Sequence, residues 1–179
     1  LDAMNGAANF AFANRSALTH RLRQALAAEF EVEANLLYDV SHNIAKIEDH
    51  QINGKSCTCC VHRKGATRAM PGQPVLVPGD MGTGSWLLEG VPGNRAFASS
   101  CHGAGRLMSR SEAKKMIDGK ALKRELESRG IRVHANTPNI MSEEAPDAYK
   151  DVDEVIRLSN SAGLTKPIAR MSPLAVIKG

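Results

Sequence analysis

The dipeptide Asn53-Gly54 constrains the fold of this chain more than any other feature of the sequence. It separates the runs 44–52 and 55–61, and Asn-Gly is the pair that best accommodates the positive φ angles of a two-residue type I′ turn. The sequence therefore predicts a β-hairpin. A hairpin and several later turn signals argue against a purely parallel, doubly wound sheet. We expect a mixed α/β (α+β) fold, with layered mixed or antiparallel sheets flanked by helices and the functional turns gathered at one edge.

Hydrophobic spacing predicts further elements around this hairpin. Apolar residues recur at intervals of three and four over residues 5–30, which predicts an amphipathic helix that packs on the core. The apolar run 36–40 predicts a buried strand that ends in a loop at His42. Ser109 and Glu112 have the spacing of a capping box at a helix start. The remaining helices are predicted near 110 and over 120–129 and 152–162, and the remaining strands over 74–77, 131–134, 167–171 and 174–179.

Composition limits the kinds of partner that the chain can bind. Its 179 residues, 42% hydrophobic and 23% charged, suffice for one globular domain over 1–179. Aromatic residues make up 4%, so a grip on single-stranded nucleic acid would depend on charge rather than on stacking. The net charge of +4 permits a polyanionic partner without requiring one. The densest positive cluster is the run 62–68, for which a solvated loop is an equally good interpretation.

Several features point to a reducing compartment. No apolar run is long enough for a membrane span, and the first residues lack the pattern of a signal peptide. The four cysteines include the vicinal pair Cys59-Cys60 on a predicted strand, which is poor disulfide geometry and suits reduced thiols. We therefore expect a cytoplasmic protein without a membrane partner. The chain opens on Leu1 in a helical pattern, which is typical of part of a longer polypeptide.

Two segments contain candidate metal ligands. The run 57–62 has a superficial likeness to a thiolate zinc cluster, but strand alternation sends its cysteines to opposite faces and disfavours one tetrahedral ion. His42 is the better ligand candidate because it follows a predicted strand, with Asp39 near enough to orient its second ring nitrogen. A single histidine does not make a site, and a structural role for His42 is the alternative.

The segment 100–106 sets His102 against a glycine-rich turn. Glycine lets backbone N–H groups approach and converge on an anion, and Arg106 adds a planar guanidinium. An ordinary tight turn after a strand is the alternative interpretation. A second glycine-rich turn, 78–85, and the basic run 62–68 accompany the first one, which makes the surroundings of His102 the candidate region for phosphorus chemistry.

Several ordered motifs together resemble the RtcB-type RNA ligases over essentially the whole chain. These motifs are 39–46, 62–69, 78–83, 101–106, 108–110 and the terminal 177–179. The resemblance implies a ligase that depends on GTP and Mn²⁺. Such an enzyme joins RNA 2′,3′-cyclic phosphate or 3′-phosphate ends to 5′-hydroxyl ends in tRNA splicing and RNA repair.

The resemblance also implies roles for individual residues. It makes His102 the nucleophile that attacks the α-phosphorus of GTP and holds GMP as a phosphoramidate, makes His42 a manganese ligand, and places Lys64 beside the phosphates. The residues that would surround the guanylate are Asn43, Pro78, Gly79, Asp80, Met81, Ser85, Gly103, Ala104, Gly105 and Lys178. The family often has a serine where this chain has Asp80.

One departure from the family is plain in the sequence. The family's two-manganese site also takes an aspartate, a cysteine and two further histidines from its N-terminal part, and no segment here matches those motifs. We therefore expect residues 1–179 to be the C-terminal catalytic portion, to work with the remainder of the polypeptide, and by itself to bind manganese weakly and ligate nothing.

The implied partners are tRNA halves or broken RNA ends, GTP, and an activating protein such as archease. Two other classes of function stay open from the sequence. One is a metal-dependent cyclic phosphodiesterase or phosphatase. The other is a non-catalytic RNA- or nucleotide-binding module that grips through residues 63–68.

Overall fold

A computed structural model describes residues 1–178; Gly179 and the side chains of Ile177 and Lys178 lie outside the described part. The chain divides into two compact units, Leu1–Arg68 and Ala69 to the C-terminus, which we describe separately. Helices and small, largely antiparallel sheets occur together, so the expected α+β class is confirmed. None of the described helices combines the length and the apolar run that crossing a bilayer requires.

The first unit contains the hairpin that Asn53-Gly54 predicts. Its elements are α1 (Asp2–Phe30), β1 (Asn43–Ile52), β2 (Lys55–Lys64) and β3 (Ala66–Arg68). β1 and β2 pair antiparallel from Ile52 opposite Lys55 to Asn43 opposite Lys64. Both turn residues have positive φ, 52° at Asn53 and 77° at Gly54, as a type I′ turn requires. The hairpin prediction is confirmed in position and register.

Helix α1 has nearly the predicted bounds, but the prediction that it packs on a core is wrong for the described residues. Among the residues of α1, Ala8 alone is buried. Four of its larger apolar side chains, those of Phe10, Leu18, Leu22 and Phe30, are more than half exposed, and Met4, Phe12 and Leu26 are half-buried. These side chains are spread around the helix instead of being aligned in one narrow stripe, so the spacing that indicated a helix did not define a single buried face.

The strand predicted over residues 36–40 is also wrong, because residues 31–42 form no regular element in the described structure. This segment is held by arginines of α1 instead of by a neighbouring strand. Arg15 Nε donates to Asp39 Oδ1 at 2.6 Å, and Arg23 Nε donates to the carbonyl of Ala34 at 2.7 Å. An apolar run becomes a strand only where a partner backbone completes its hydrogen bonds, and here side chains bind the segment.

The second unit contains the remaining elements. In chain order they are β4 (Pro74–Val77), β5 (Ser85–Gly90), β6 (Ser99–Cys101), α2 (Arg110–Met116), α3 (Gly119–Ser128), β7 (Arg132–Ala135), α4 (Pro138–Glu143), a 3₁₀ turn (Pro146–Ala148), α5 (Val152–Ser161), β8 (Thr165–Met171) and β9 (Ala175–Lys178). β4, β5 and β8 form an antiparallel sheet in the order β4-β5-β8, and β7 pairs parallel with β9. The capping box of α2 is confirmed, since Ser109 Oγ accepts from the Glu112 amide and the Glu112 carboxylate accepts from the Ser109 amide.

Two hydrophobic clusters support the functional loops of this unit. The first contains Val75, Val77, Leu88, Val152 and Ile156 together with Ala69 and Ala104. The second contains Leu122, Leu126, Ile131, Val133 and Met141 together with Met81 and Ala145. Ala104 belongs to the turn that carries His102, and Met81 belongs to the turn 78–85. Each glycine-rich turn is therefore anchored by one buried side chain, and burying a methionine stabilises by roughly 1.5–3 kcal/mol.

Candidate functional site

A cavity of about 420 Å³ in the second unit brings the two glycine-rich turns together. Its lining comprises Pro78, Gly79 and Asp80 from the turn 78–85, His102 to Arg106 from the turn after β6, and Arg110, Glu144 and Tyr149. The volume falls within the range of roughly 300–1,000 Å³ that is typical of small-molecule sites. Seven of the residues assigned from the sequence thus share one cavity: Pro78, Gly79, Asp80, His102, Gly103, Ala104 and Gly105.

The turn after β6 presents His102 and a bare backbone to this cavity. β6 ends at Cys101, so His102 is the first residue beyond the strand. Gly105 has a φ of +79°, a conformation that side-chain-bearing residues rarely adopt, and its carbonyl accepts from the Lys150 amide at 2.9 Å. A Cβ at Gly103 would meet only the carbonyl oxygen of Pro78, at 3.7 Å. The space beside Gly103 is therefore left to the cavity and is not filled by protein.

Asp80 folds the other turn around its own carboxylate. Oδ1 accepts from the amides of Gly82 at 2.8 Å and Thr83 at 2.9 Å, and Oδ2 accepts from Thr83 Oγ1 at 2.8 Å. The turn is also tight at Gly79, where a Cβ would lie 2.0 Å from the carbonyl oxygen of Gly84. These contacts hold the backbone of the turn in place at the cavity edge.

Met81 and Ser85 support the turn from outside the cavity lining. Met81 is 1% exposed as a whole residue and packs in the second hydrophobic cluster. Ser85 Oγ accepts from the Gly79 amide at 3.2 Å, which ties the start of β5 to the turn. Their assignment as nucleotide contacts stays a prediction.

The guanidinium of Arg106 is hydrogen-bonded within the protein, whereas the sequence suggested that it would be available to bind an anion. Its Nε donates to the carbonyl of Met108 at 3.0 Å, Nη1 donates to Tyr149 Oη at 2.9 Å, and Nη2 donates to the carbonyl of Glu143. The guanidinium also lies 4.7 Å from the centre of the Tyr149 ring. Arg106 therefore builds the cavity wall.

Sequence reasoning missed the part of the wall formed by Arg110, Glu144 and Tyr149. The Tyr149 hydroxyl donates to Glu144 Oε2, and Arg110 Nε donates to Glu144 Oε1 at 3.3 Å. Burial raises the pKa of the Tyr149 phenol, and the hydrogen bond to Glu144 and its charge act in the same direction. The only sequence feature that singled out Tyr149 was its rarity, since it is one of two tyrosines in the chain.

In the first unit, the hairpin brings together the three site residues assigned there. Asn43 and Lys64 are cross-strand partners at the open end of the hairpin. His42 precedes Asn43 directly, and its carbonyl accepts from the Gly65 amide at 2.9 Å. Asp39 is engaged by Arg15, whereas the sequence suggested that it would orient the His42 ring.

The basic run 62–68 is not a uniformly solvated surface. The side chain of Arg63 is 1% exposed and donates to both carboxylate oxygens of Glu48, each at 2.8 Å. The hydrogen bonds from Arg63 are the main reason why the pKa of Glu48 lies below its ordinary value. Arg63 is thus a structural residue of the hairpin, and residues 63–68 offer a weaker surface grip than their composition suggests.

The potential metal ligands within the described part of the chain do not form a cluster of three or more. In residues 1–178, no group of three or more histidine, cysteine, aspartate or glutamate side chains is arranged to hold a metal ion. The regular strand β2 does place Cys60 and His62 on one face, where Cys60 Sγ lies 3.5 Å from His62 Nε2. Lys178 has its backbone in β9, and its side chain lies outside the described residues.

A histidine on a cavity wall between two glycine-rich turns suits the class of enzymes that transfer phosphoryl or nucleotidyl groups. Over residues 1–179 the chain matches the family described as tRNA-splicing ligase RtcB. The chain belongs to the RtcB family, and the resemblance drawn from its motifs is confirmed.

Individual relatives agree with this family match. The chain is 48% identical over 192 residues to the RNA-splicing ligase RtcB of Mycobacterium tuberculosis, an alignment that covers 100% of this chain and 44% of the relative. It is 47% identical over 197 residues to the tRNA-splicing ligase RtcB of Thermococcus kodakarensis, covering 99% of this chain and 41% of the relative. The chain thus spans less than half the length of these relatives.

Proposed function

We propose that this chain carries the nucleophile-bearing part of a GTP- and Mn²⁺-dependent RNA ligase. Such an enzyme joins RNA 2′,3′-cyclic phosphate or 3′-phosphate ends to 5′-hydroxyl ends, as in tRNA splicing and RNA repair. The observation that carries the proposal is the position of His102, on the wall of a cavity of about 420 Å³ between two glycine-rich turns. The relatives that the chain matches are named as RNA- or tRNA-splicing ligases.

In the proposed reaction a ring nitrogen of His102 attacks the α-phosphorus of GTP. A P–N bond forms, the bond to the β-phosphate oxygen breaks, and pyrophosphate leaves. Imidazole suits this step because it is nucleophilic near neutral pH and the phosphoramidate it forms is labile. The RNA 3′-phosphate then attacks the His102-bound GMP and frees the imidazole, and the 5′-hydroxyl displaces GMP as the new phosphodiester forms. A cyclic phosphate is first hydrolysed to the 3′-phosphate.

The cavity suits a nucleotide phosphate beside His102. Gly103 leaves its side of the cavity open, and the backbone of the turn 78–80 faces the same space. In the proposal these turns approach the phosphate closely, together with Ala104 and Gly105. Asn43, Lys64, Met81, Ser85 and Lys178 complete the proposed contacts to the guanylate and its phosphates.

Manganese enters the proposal through His42. The described residues do not form a metal site by themselves, so His42 is proposed to supply one ligand and other parts of a longer polypeptide the rest. RNA ends and an archease-type activator are the proposed macromolecular partners.

Exchange of His102 for alanine in the full-length polypeptide tests the proposal. With α-labelled GTP and Mn²⁺, the wild-type protein should acquire an acid-labile label that maps to the peptide containing His102. H102A should acquire none and should not ligate RNA. His134→Ala, an exposed histidine of β7 in the same unit, is the matched control and should be labelled like the wild type.

Three outcomes separate the classes of function. Loss of label and ligation in H102A supports the ligase. Hydrolysis of cyclic phosphate by both proteins, without labelling in either, would indicate a phosphodiesterase or phosphatase instead. RNA binding with a steep salt dependence and no turnover would indicate a binding module.

A further inference from the structure

One carboxylate, that of Glu144, joins three side chains of the cavity wall. Its Oε2 accepts from the Tyr149 hydroxyl, its Oε1 accepts from Arg110 Nε at 3.3 Å, and Oε1 lies 3.6 Å from Arg106 Nη1. Arg106 Nη1 also donates to the Tyr149 hydroxyl at 2.9 Å. The four side chains therefore form one connected polar cluster, and all four line the cavity that contains His102.

Glu144 stands on a rigid support. It follows α4 directly, and its neighbours Met141 and Ala145, 2% and 1% exposed, are both members of the second hydrophobic cluster. Its own side chain is 17% exposed. A carboxylate on such a support can fix the groups it binds, because its own backbone is held by core packing.

Tyr149 depends on this support for its orientation, whereas its neighbour Arg106 is held mainly by the carbonyls of Met108 and Glu143. Their backbones are paired, since Arg106 and Tyr149 form an antiparallel bridge and the Leu107 amide donates to the carbonyl of Ala148 at 2.8 Å. Backbone pairing leaves the phenol ring free to rotate about its side-chain bonds. The ring is fixed instead by the hydrogen bonds that the Tyr149 hydroxyl makes with Glu144 and Arg106.

We propose that Glu144 is a positioning residue of the nucleotide cavity, which sets the orientation of the Tyr149 ring beside Arg106 and thereby the shape that the cavity offers to a nucleotide. The inference rests on the proposed function in so far as the ligand is a nucleotide. The geometry of the cluster does not depend on that identity.

The neighbouring carboxylate provides a matched control. Glu143 lies one residue earlier, is 20% exposed, and pairs with Lys114 at 2.6 Å and with Arg110 at 3.7 Å. In the described structure its side chain pairs with neither Tyr149 nor Arg106. A general effect of removing negative charge or of disturbing the end of α4 would appear in E143A and E144A alike, whereas loss of positioning would appear in E144A alone.

Nucleotide affinity of the full-length polypeptide is the first measurement. Loss of a charge-assisted hydrogen bond of this kind corresponds to about a tenfold change in an equilibrium constant. E144A should therefore weaken GTP binding by about tenfold or more, with E144Q intermediate because its amide oxygen still accepts from Tyr149. E143A should stay within about twofold. Equal affinities for E144A, E143A and the wild type would overturn the inference.

The ionisation of Tyr149 gives a second readout that needs no nucleotide. Tyrosine labelled with ¹³C at Cζ reports each phenol separately by NMR, with Y149F to assign the signal. E144A should lower the apparent pKa of Tyr149, because the hydrogen bond and the charge of Glu144 both raise it. E143A should leave it unchanged, and an unchanged titration in E144A would refute the positioning role.

The two measurements also separate the inference from the proposed function. Wild-type protein that binds no GTP and forms no labelled His102 would defeat the proposed function, and the phenol titration would still decide the role of Glu144. Wild-type protein that is labelled, with E144A binding and titrating like the wild type, would defeat only the inference. E144Q keeps the shape of the side chain, so it decides the question if E144A fails to fold.

Discussion

Replacement of Asp80 by alanine should destabilise the closed conformation of the turn 78–85, which places Gly79 on the cavity wall. The Asp80 carboxylate accepts from the Gly82 amide, the Thr83 amide and the Thr83 hydroxyl, at 2.8, 2.9 and 2.8 Å. Hydrogen bonds to a charged group contribute about 1.5–3 kcal/mol each. For Asp80 we expect values near the lower end of this range, because its carboxylate is only half-buried and water can replace the lost partners. Because the three bonds share one loop and are not additive, we expect a total of about 3 kcal/mol, or roughly a hundredfold in the opening equilibrium.

Amide hydrogen exchange measured by NMR reports this opening directly. In D80A the amides of Gly82 and Thr83 should exchange roughly a hundredfold faster than in the wild type. D80N keeps an oxygen for both amides and should show a smaller effect, with D80S between the two because a shorter hydroxyl can still accept one amide bond. D118A is the matched control, since Asp118 caps α3 by accepting from the Lys120 and Ala121 amides at 2.8 and 3.3 Å.

The reasoning would be refuted by exchange at Gly82 and Thr83 that is the same in D80A and in the wild type. It would equally be refuted by D118A accelerating these two amides as much as D80A does. Either result would show that the turn is held by its anchor Met81 and by close backbone packing, and not by the carboxylate.

Three further predictions concern stability and ligand binding. The Arg63 hydrogen bonds hold the pKa of Glu48 below its ordinary value of 4.5, so the stabilisation they contribute is complete above that pH and is lost as the pH falls through the lowered pKa. The protection factors of the hairpin amides, which correct for the intrinsic pH dependence of exchange, should thus fall on acidification in the wild type, and in E48Q they should be lower at neutral pH and depend less on pH. G79A should lower the melting temperature more than G105A, because a Cβ at 79 meets backbone at 2.0 Å whereas a Cβ at 105 has space and suffers mainly from the positive φ, at about 1–2 kcal/mol. G103A should leave the melting temperature nearly unchanged, since its Cβ makes an ordinary contact at 3.7 Å, and should weaken GTP binding by filling the cavity beside His102.

The sequence by itself was sufficient where structure depends on neighbouring residues. Asn53-Gly54 determined the hairpin turn because both residues tolerate positive φ, and Ser109 with Glu112 determined the start of α2 through a reciprocal cap. The glycine-rich turns and the position of His102 just beyond a strand follow from the same local preferences. The ordered motifs also sufficed to indicate the family.

Tertiary structure alone decided which side chains are buried and which meet across the cavity. Arg106 and Tyr149 are 43 residues apart, and no spacing rule connects them with Glu144. The burial of Arg63 against Glu48 depends on the pairing of β1 with β2. The exposure of the apolar side chains of α1 depends on which other elements pack on the helix. Local propensities act over a few residues, whereas these contacts exist because whole elements pack together, so they could be known only from the folded chain.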